Sequence, residues 1–282
     1  MRIRKGILKL GAAAVVLCAA LLLPTPETRA QNPEELMPAE SAAKAKAILQ
    51  QAIEGLGGKD YLNVHNSECS GRYAQFQHSG ATGGYILVRL YHEMPDKDRV
   101  EYGMDVKARI IDVYAGDKGW TLDRGGVSDI PAEDLGDRQE QLKTQLGNVL
   151  RNRLDEPGLF FRYGGSDVVD LREVDWVEIG DGGRTMRIAV NRKDHLPTRS
   201  IVIERDPKTG DRNERASYYT TYHLIDGIQT PFNESRFLNG RQTYEVFLDS
   251  CSYDVDLPGN FFTREALEER FSELNGKSKK KK

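Results

Sequence analysis

Two dipeptides, Asp226-Gly227 and Asn239-Gly240, constrain this chain most. Each separates runs of β-forming residues in the stretch from Tyr218 to Phe262, YYTTYHLIDGIQTPFNESRFLNGRQTYEVFLDSCSYDVDLPGNFF. Asp-Gly and Asn-Gly reach the positive φ angles of tight hairpin turns, while Tyr, Thr, Ile, Val and Phe suit a pleated, half-buried surface. The stretch predicts antiparallel hairpins, with four strands to be drawn in it.

The rest of the chain continues that pattern and adds helices. Pro38 to Leu56 is alanine-rich, carries Ile48, Leu49, Ala52, Ile53 and Leu56 on one face and stops at Gly57-Gly58, which predicts a helix. From Cys69 to Leu122 the runs SGRYAQFQH, GYILVRLYHE, RVEYGM and RIIDVYAGDKGWTL predict a meander. Ala132 to Leu154 changes period: Leu135, Leu142, Leu146, Val149, Leu150 and Leu154 return at helical spacing, predicting one long amphipathic helix ended by Glu156-Pro157-Gly158. Strands return at VDWVEIG, TMRIAV and RSIVIER. Alternation places Met186, Ile188 and Val190 on one face of their strand and Ile201 and Ile203 on one face of the next. Tyr218, Tyr219 and Tyr222 alternate across a later strand and offer a pocket wall or ordinary packing. After Phe262, Thr263 caps a short helix with Leu267, Phe271 and Leu274 at helical intervals.

The first thirty residues stand apart. Arg2, Arg4, Lys5 and Lys9 precede an apolar run from Leu10 to Leu23, then Pro24 and a Thr28-Arg29-Ala30 ending, the pattern of a secretory signal peptide. Cys18 follows Leu17, which is larger than the residue usual before a lipidated cysteine, so a soluble exported chain beginning near Gln31 is expected. Residues 31–274 then form one domain, for which a hydrophobic content of 39% supplies a core. Residues 275–282 are expected to be a disordered lysine-rich tail. Without the leader the charge is 35 basic against 42 acidic residues, and five of the lysines sit at 277 and 279 to 282. The body therefore lacks the basic footprint of a nucleic-acid-binding protein. Cys69 and Cys251 remain as an even pair in an exported chain, either bridged or left as two buried thiols.

Signatures of catalysis are missing from the sequence. The histidines at 65, 78, 92, 195 and 223 show no metal-binding spacing, and His92-Glu93 lacks the second histidine of HExxH, Asp96 standing there instead. There is no G-x-S-x-G elbow, phosphate loop or C-x-x-C pair, and Asp112, Asp123, Asp129, Asp170 and Asp175 read as strand edges and turns.

Four segments carry a resemblance. They are LGGKDYLNV after the first helix, Gly116-Asp117-Lys118-Gly119-Trp120, the Leu-Pro turn in NRKDHLPTR, and the strand ending in Asp-Gly-Ile before Pro231. Together they resemble the LolA/LolB-type periplasmic lipoprotein carriers. The resemblance implies an α+β fold, a strongly curved antiparallel half-open β-barrel with helices covering its concave face. It implies a periplasmic carrier or binding protein holding lipoprotein acyl chains, lipids or similar amphiphiles without covalent chemistry or cofactor. Transient membrane or membrane-protein donors and acceptors would be its partners, and nucleic acid would not. Candidate cavity residues are Trp120, Leu146, Leu150, Met186, Ile188, Ile201, Ile203, Tyr218 and Tyr222. The same half-barrel also resembles envelope-stress sensors, in which ligand binding alters a protein interface.

Overall fold

The computed structural model describes residues 36–103, 110–206 and 209–279, with side chains as far as residue 275. The expected signal peptide, Cys18 and the last three lysines lie outside the described residues. Thirteen strands form one sheet: β1 Asn66–Gln75, β2 Ile86–Glu93, β3 Lys97–Tyr102, β4 Ile110–Ala115, β5 Lys118–Asp123, β6 Gly126–Asp129, β7 Phe160–Val169, β8 Arg172–Gly180, β9 Arg184–Asn191, β10 Pro197–Arg205, β11 Arg212–Ile225, β12 Ile228–Leu238 and β13 Arg241–Tyr253. Their order is β6-β5-β4-β3-β2-β1-β13-β12-β11-β10-β9-β8-β7, with every neighbouring pair antiparallel. β6 and β7 stand at opposite ends of that order, so the sheet is open.

The stretch from Tyr218 to Phe262 makes three strands rather than four. Asp226 (φ 50°) with Gly227, and Asn239 (φ 51°) with Gly240, form the two turns. Asp254 (φ 49°) leaves the extended region after Tyr253, and no fourth strand follows. Two strands come from segments with weaker β patterning: β6, and β7, where Phe160 and Phe161 begin a ten-residue strand.

Helix α1 (Pro38–Leu56) has the expected bounds. Pro38 sits at its start, where a missing N–H costs nothing, and the Glu40 carboxylate accepts the Met37 N–H at 3.2 Å. Gly57 (φ 131°) ends it. A short helix α2 (Lys59–Asn63) follows. The single helix predicted over Ala132–Leu154 is divided into α3 (Ala132–Leu142) and α4 (Leu146–Asn148), the latter continuing as a π-helical turn over Val149–Arg153. Side chains satisfy the carbonyls exposed at the break: Asn148 Nδ2 donates to Leu142 O at 2.9 Å, and Arg153 donates to Lys143 O. The break lets Leu146, Val149 and Leu150 pack against the sheet independently of α3. Helix α5 (Arg264–Lys279) extends into the stretch expected to be an irregular tail.

Strand register separates two faces of the sheet. On the helix face, Leu49, Ala52, Ile53 and Leu56 of α1, Tyr61 of α2 and Leu146, Val149 and Leu150 pack on Phe161, Tyr163, Val177, Ile179, Met186, Ile188, Val190, Val202 and Tyr219. Close approach of α1 depends on glycine. A Cβ on Gly57 would stand 2.6 Å from the Gly227 carbonyl, and one on Gly55 2.9 Å from that of Asp194. The back face carries a cluster under α5, with Ile111, Val113 and Leu122 against Phe262 and Leu267, and another of Val174, Trp176, Ala189, Ile201 and Ala216.

Candidate functional site

In-register pairs change character as they cross the helix face. Val177 faces Ile188, Ile188 faces Ser200, Ser200 faces Ser217, Ser217 faces Arg236, and Arg236 faces Tyr244. A parallel row runs from Tyr219 through Glu234, Val246 and Tyr73 to Ile86. One half of the face is thus apolar and packed under α1, α2 and α4. The other, over β1 to β4, β12 and β13, bears tyrosines and an arginine.

Geometry in that second half is specific. Tyr102 meets Tyr73 edge-on with ring centroids 5.7 Å apart, Tyr73 meets Tyr244 at 5.6 Å, and the Arg236 guanidinium lies over the Tyr244 ring at 4.6 Å. Arg236 Nε donates to Glu234 at 2.7 Å, yet its side chain keeps 39% exposure. Its outer guanidinium nitrogens and the hydroxyls of Tyr73, Tyr102 and Tyr114 make no hydrogen bond among the described residues. Desolvation raises the titration of Tyr73, Tyr102, Tyr114 and Tyr244, so these phenols stay neutral at physiological pH. Ile86 and Ile110, each 44% exposed, pair in register with Tyr73 and Tyr102.

Helix α3 borders this half. Arg138 ion-pairs with Asp98 Oδ2 on β3, and Asp98 Oδ1 lies 2.7 Å from His92 Nδ1 on β2. Burial and the positive charge of Arg236 lower the Arg138 guanidinium to about 10. Burial, reinforced by Arg138 and Arg151, lowers His92 to about 4. Gln139 donates to the Gly116 carbonyl at 3.3 Å, while the neighbouring Glu140 accepts from Arg184 at 2.7 Å. Gly116 joins β4 to β5 and Arg184 opens β9, eight steps from β4 in the strand order. A Cβ on Gly119 would meet Leu135 at 2.8 Å, so glycine there admits α3 to the sheet.

The nine cavity candidates divide. Leu146, Leu150, Met186 and Ile188 lie within the packed apolar half, and Tyr222 packs at its border, donating to the Pro197 carbonyl at 2.7 Å. Trp120 packs in the α5 cluster, and Ile201, Ile203 and Tyr218 belong to the other back-face cluster. The expected common face of Met186, Ile188, Ile201 and Ile203 is corrected by register. Met186 pairs with Val202 and Ile188 with Ser200, which turns Ile201 and Ile203 away. Thr221 (φ 56°) interrupts alternation in β11, so Tyr222 joins Tyr219 rather than Tyr218. Sequence reasoning missed Tyr73, Tyr102, Arg236 and Tyr244, although alternation of Tyr244 with Val246 was a usable signal. Cys69 and Cys251 face each other in register on β1 and β13, with Sγ atoms 2.01 Å apart. Among the described residues no group of three or more metal-ligating side chains occurs, and no helix is long and apolar enough to cross a membrane.

An open, all-antiparallel sheet with α1 to α4 on one face and α5 on the other is the fold of LolA-type structures. Three solved structures share it. A DUF1329 family protein from Desulfovibrio piger matches with TM-score 0.54 and 15% identity, over 79% of this chain and 98% of its own. A putative outer membrane lipoprotein-sorting protein domain from Vibrio parahaemolyticus matches with TM-score 0.52 and 13% identity, and a LolA superfamily protein from Nitrosomonas europaea with 0.52 and 14%. Each of these two alignments covers 79% of this chain and 99% of the other. No protein-family profile matches the chain, and no curated protein does.

Proposed function

We propose that this protein is a periplasmic carrier or binding protein for an acyl-chain amphiphile. In this reading the sheet curls into a half-open barrel with α1 to α4 on its concave side. Strand spacing of about 4.8 Å would separate β4 from β9 by about 40 Å in a flat sheet. Adjacent residues Gln139 and Glu140 touch Gly116 and Arg184, a span that two side chains on one helix reach only if the sheet bends.

The observation that carries the function is continuity of the helix face. Its partly exposed Tyr73, Ile86, Tyr102 and Ile110 lead into the packed cluster below α1 and α4. Acyl chains bind by area: about 300 Å² buried at about 25 cal/mol per Å² gives about 7 kcal/mol before association costs, enough for reversible capture. Further room would come from outward movement of α3 and α4, which the break at residues 143–145 separates. The lipoprotein-sorting description of one fold neighbour supports the same reading.

The test is native mass spectrometry of protein exported to a periplasm and purified without detergent, with solvent extraction of any bound species. A stoichiometric acylated ligand is expected. Ligand-free protein that also ignores fluorescent fatty-acyl probes would overturn the proposal.

A further inference from the structure

The uncovered half of the helix face holds more than apolar area. Arg236 lies over the Tyr244 ring, its Nε engaging Glu234 at 2.7 Å while the side chain keeps 39% exposure and its outer nitrogens make no hydrogen bond among the described residues. Tyr244 stacks on that guanidinium, and Tyr73, ring to ring with Tyr244, adds a neutral hydroxyl donor without a partner among the described residues. A planar fork of N–H donors beside a phenol O–H matches the oxygens of an oxyanion. Arg138 brings a second guanidinium close enough to be felt by Arg236.

The acidic groups on this face do not take the place of that oxyanion. Glu234 is held by Arg236 Nε, Asp98 by Arg138 and His92, and Asp112 is on β4, five strands from β12, bonded by Thr121 at 2.8 Å. Between the arginine and Asp112 lie the partly exposed Leu90 and Val100 on the same face, an apolar bed for a chain attached to the anion.

We propose that Arg236, supported by Tyr244 and Tyr73, receives the oxyanion headgroup of the bound amphiphile, so that the protein selects anionic over neutral amphiphiles and fixes which end of the ligand lies under β12. This rests on the carrier reading and adds a headgroup site and a polarity of binding to it.

Isothermal titration below micelle-forming concentrations tests it, with dodecyl phosphate, the neutral dodecyl maltoside and inorganic phosphate alone as probes. Dodecyl phosphate is expected to bind at least about 10-fold more tightly than dodecyl maltoside, as charge-assisted bonds warrant. Arg236→Gln should remove that preference, and Arg236→Lys should restore part of it. Tyr73→Phe deletes only a hydroxyl that no described protein group uses, so it keeps the fold intact and should weaken dodecyl phosphate about 3-fold or more. Equal affinity for the two amphiphiles, or an unchanged preference in both Arg236→Gln and Tyr73→Phe, overturns the headgroup site and leaves the carrier standing. Inorganic phosphate binding as tightly as dodecyl phosphate overturns it in favour of a free-anion site. Failure of both amphiphiles to bind overturns the carrier and the headgroup site together.

Discussion

Asp98 joins Arg138 to His92: its Oδ2 pairs with the guanidinium on α3 and its Oδ1 lies 2.7 Å from His92 Nδ1 on β2. This is one of the polar ties between α3 and the strands beneath it, with those of Gln139 to Gly116 and Glu140 to Arg184, and it stands beside the tyrosine row that the proposed ligand would reach. Access to that row therefore depends on how firmly the tie holds.

Arg138→Ala leaves Asp98 half-buried without its cation, which should cost about 2–3 kcal/mol locally. Hydrogen exchange at the amides of residues 132–142 should accelerate by about 10-fold or more, while amides in β8 and β9 keep wild-type protection. Uniform exchange across α3 and the sheet in both proteins would show that Arg138 does not hold the helix.

Acid should weaken the same region. The folded protein lowers His92 from 6.5 to about 4, so the unfolded chain binds the proton more readily. Stability from this site is complete above about pH 6.5 and is lost as pH falls toward 4, by about 3 kcal/mol in all. Urea midpoints measured from pH 7.5 to 4 should decline more steeply for wild type than for His92→Gln. Parallel curves would place the acid sensitivity in other groups.

The Cys69–Cys251 bridge spans 182 residues and ties β1 to β13, the central pair of the strand order. Closing so long a loop restricts the unfolded chain by about 5 kcal/mol on chain-entropy grounds, an upper figure for the effect. Thermal unfolding of Cys69→Ser/Cys251→Ser should show a Tm lower by several degrees, and reductant should shift wild type but not the double variant.

Gly71 stands beside the β-bulge at Asp249, where β1 changes register against β13, and a Cβ there would fall 2.1 Å from the Phe247 carbonyl oxygen. Backbone rather than a flexible side chain is in the way, so Gly71→Ala should cost about 3 kcal/mol or prevent folding. Gly83→Ala, with open space around it, is the control and should leave the denaturant midpoint within about 0.5 kcal/mol of wild type.

Local chemistry in the sequence accounts for α1, both glycine hairpins and most strands, whereas the pairing of the two cysteines' strands is long-range, and the sequence left the cysteines either bridged or free. Proline at the helix start, glycine at its end and Asp-Gly or Asn-Gly at the turns act on neighbouring residues, so nearby sequence is enough to read them. The break between α3 and α4 was less legible, because leucines at one helical period run through it. What divides them is the side-chain capping by Asn148 and Arg153 and the separate surfaces that the two segments cover.

Alternation within one strand told which residues share a face, but not which face of the neighbouring strand joins them. A one-residue difference in register reverses every side chain. That is why Met186 and Ile188 lie in the core beneath the helices while Ile201 and Ile203 point away, and why Trp120 packs with α5. The row Tyr102, Tyr73, Tyr244 and Arg236 joins strands more than 130 residues apart in sequence, brought together when β1 pairs with β13. Short-range residue chemistry determined the strands, turns and first helix; only long-range pairing, which no local pattern encodes, decided the face on which a ligand would lie.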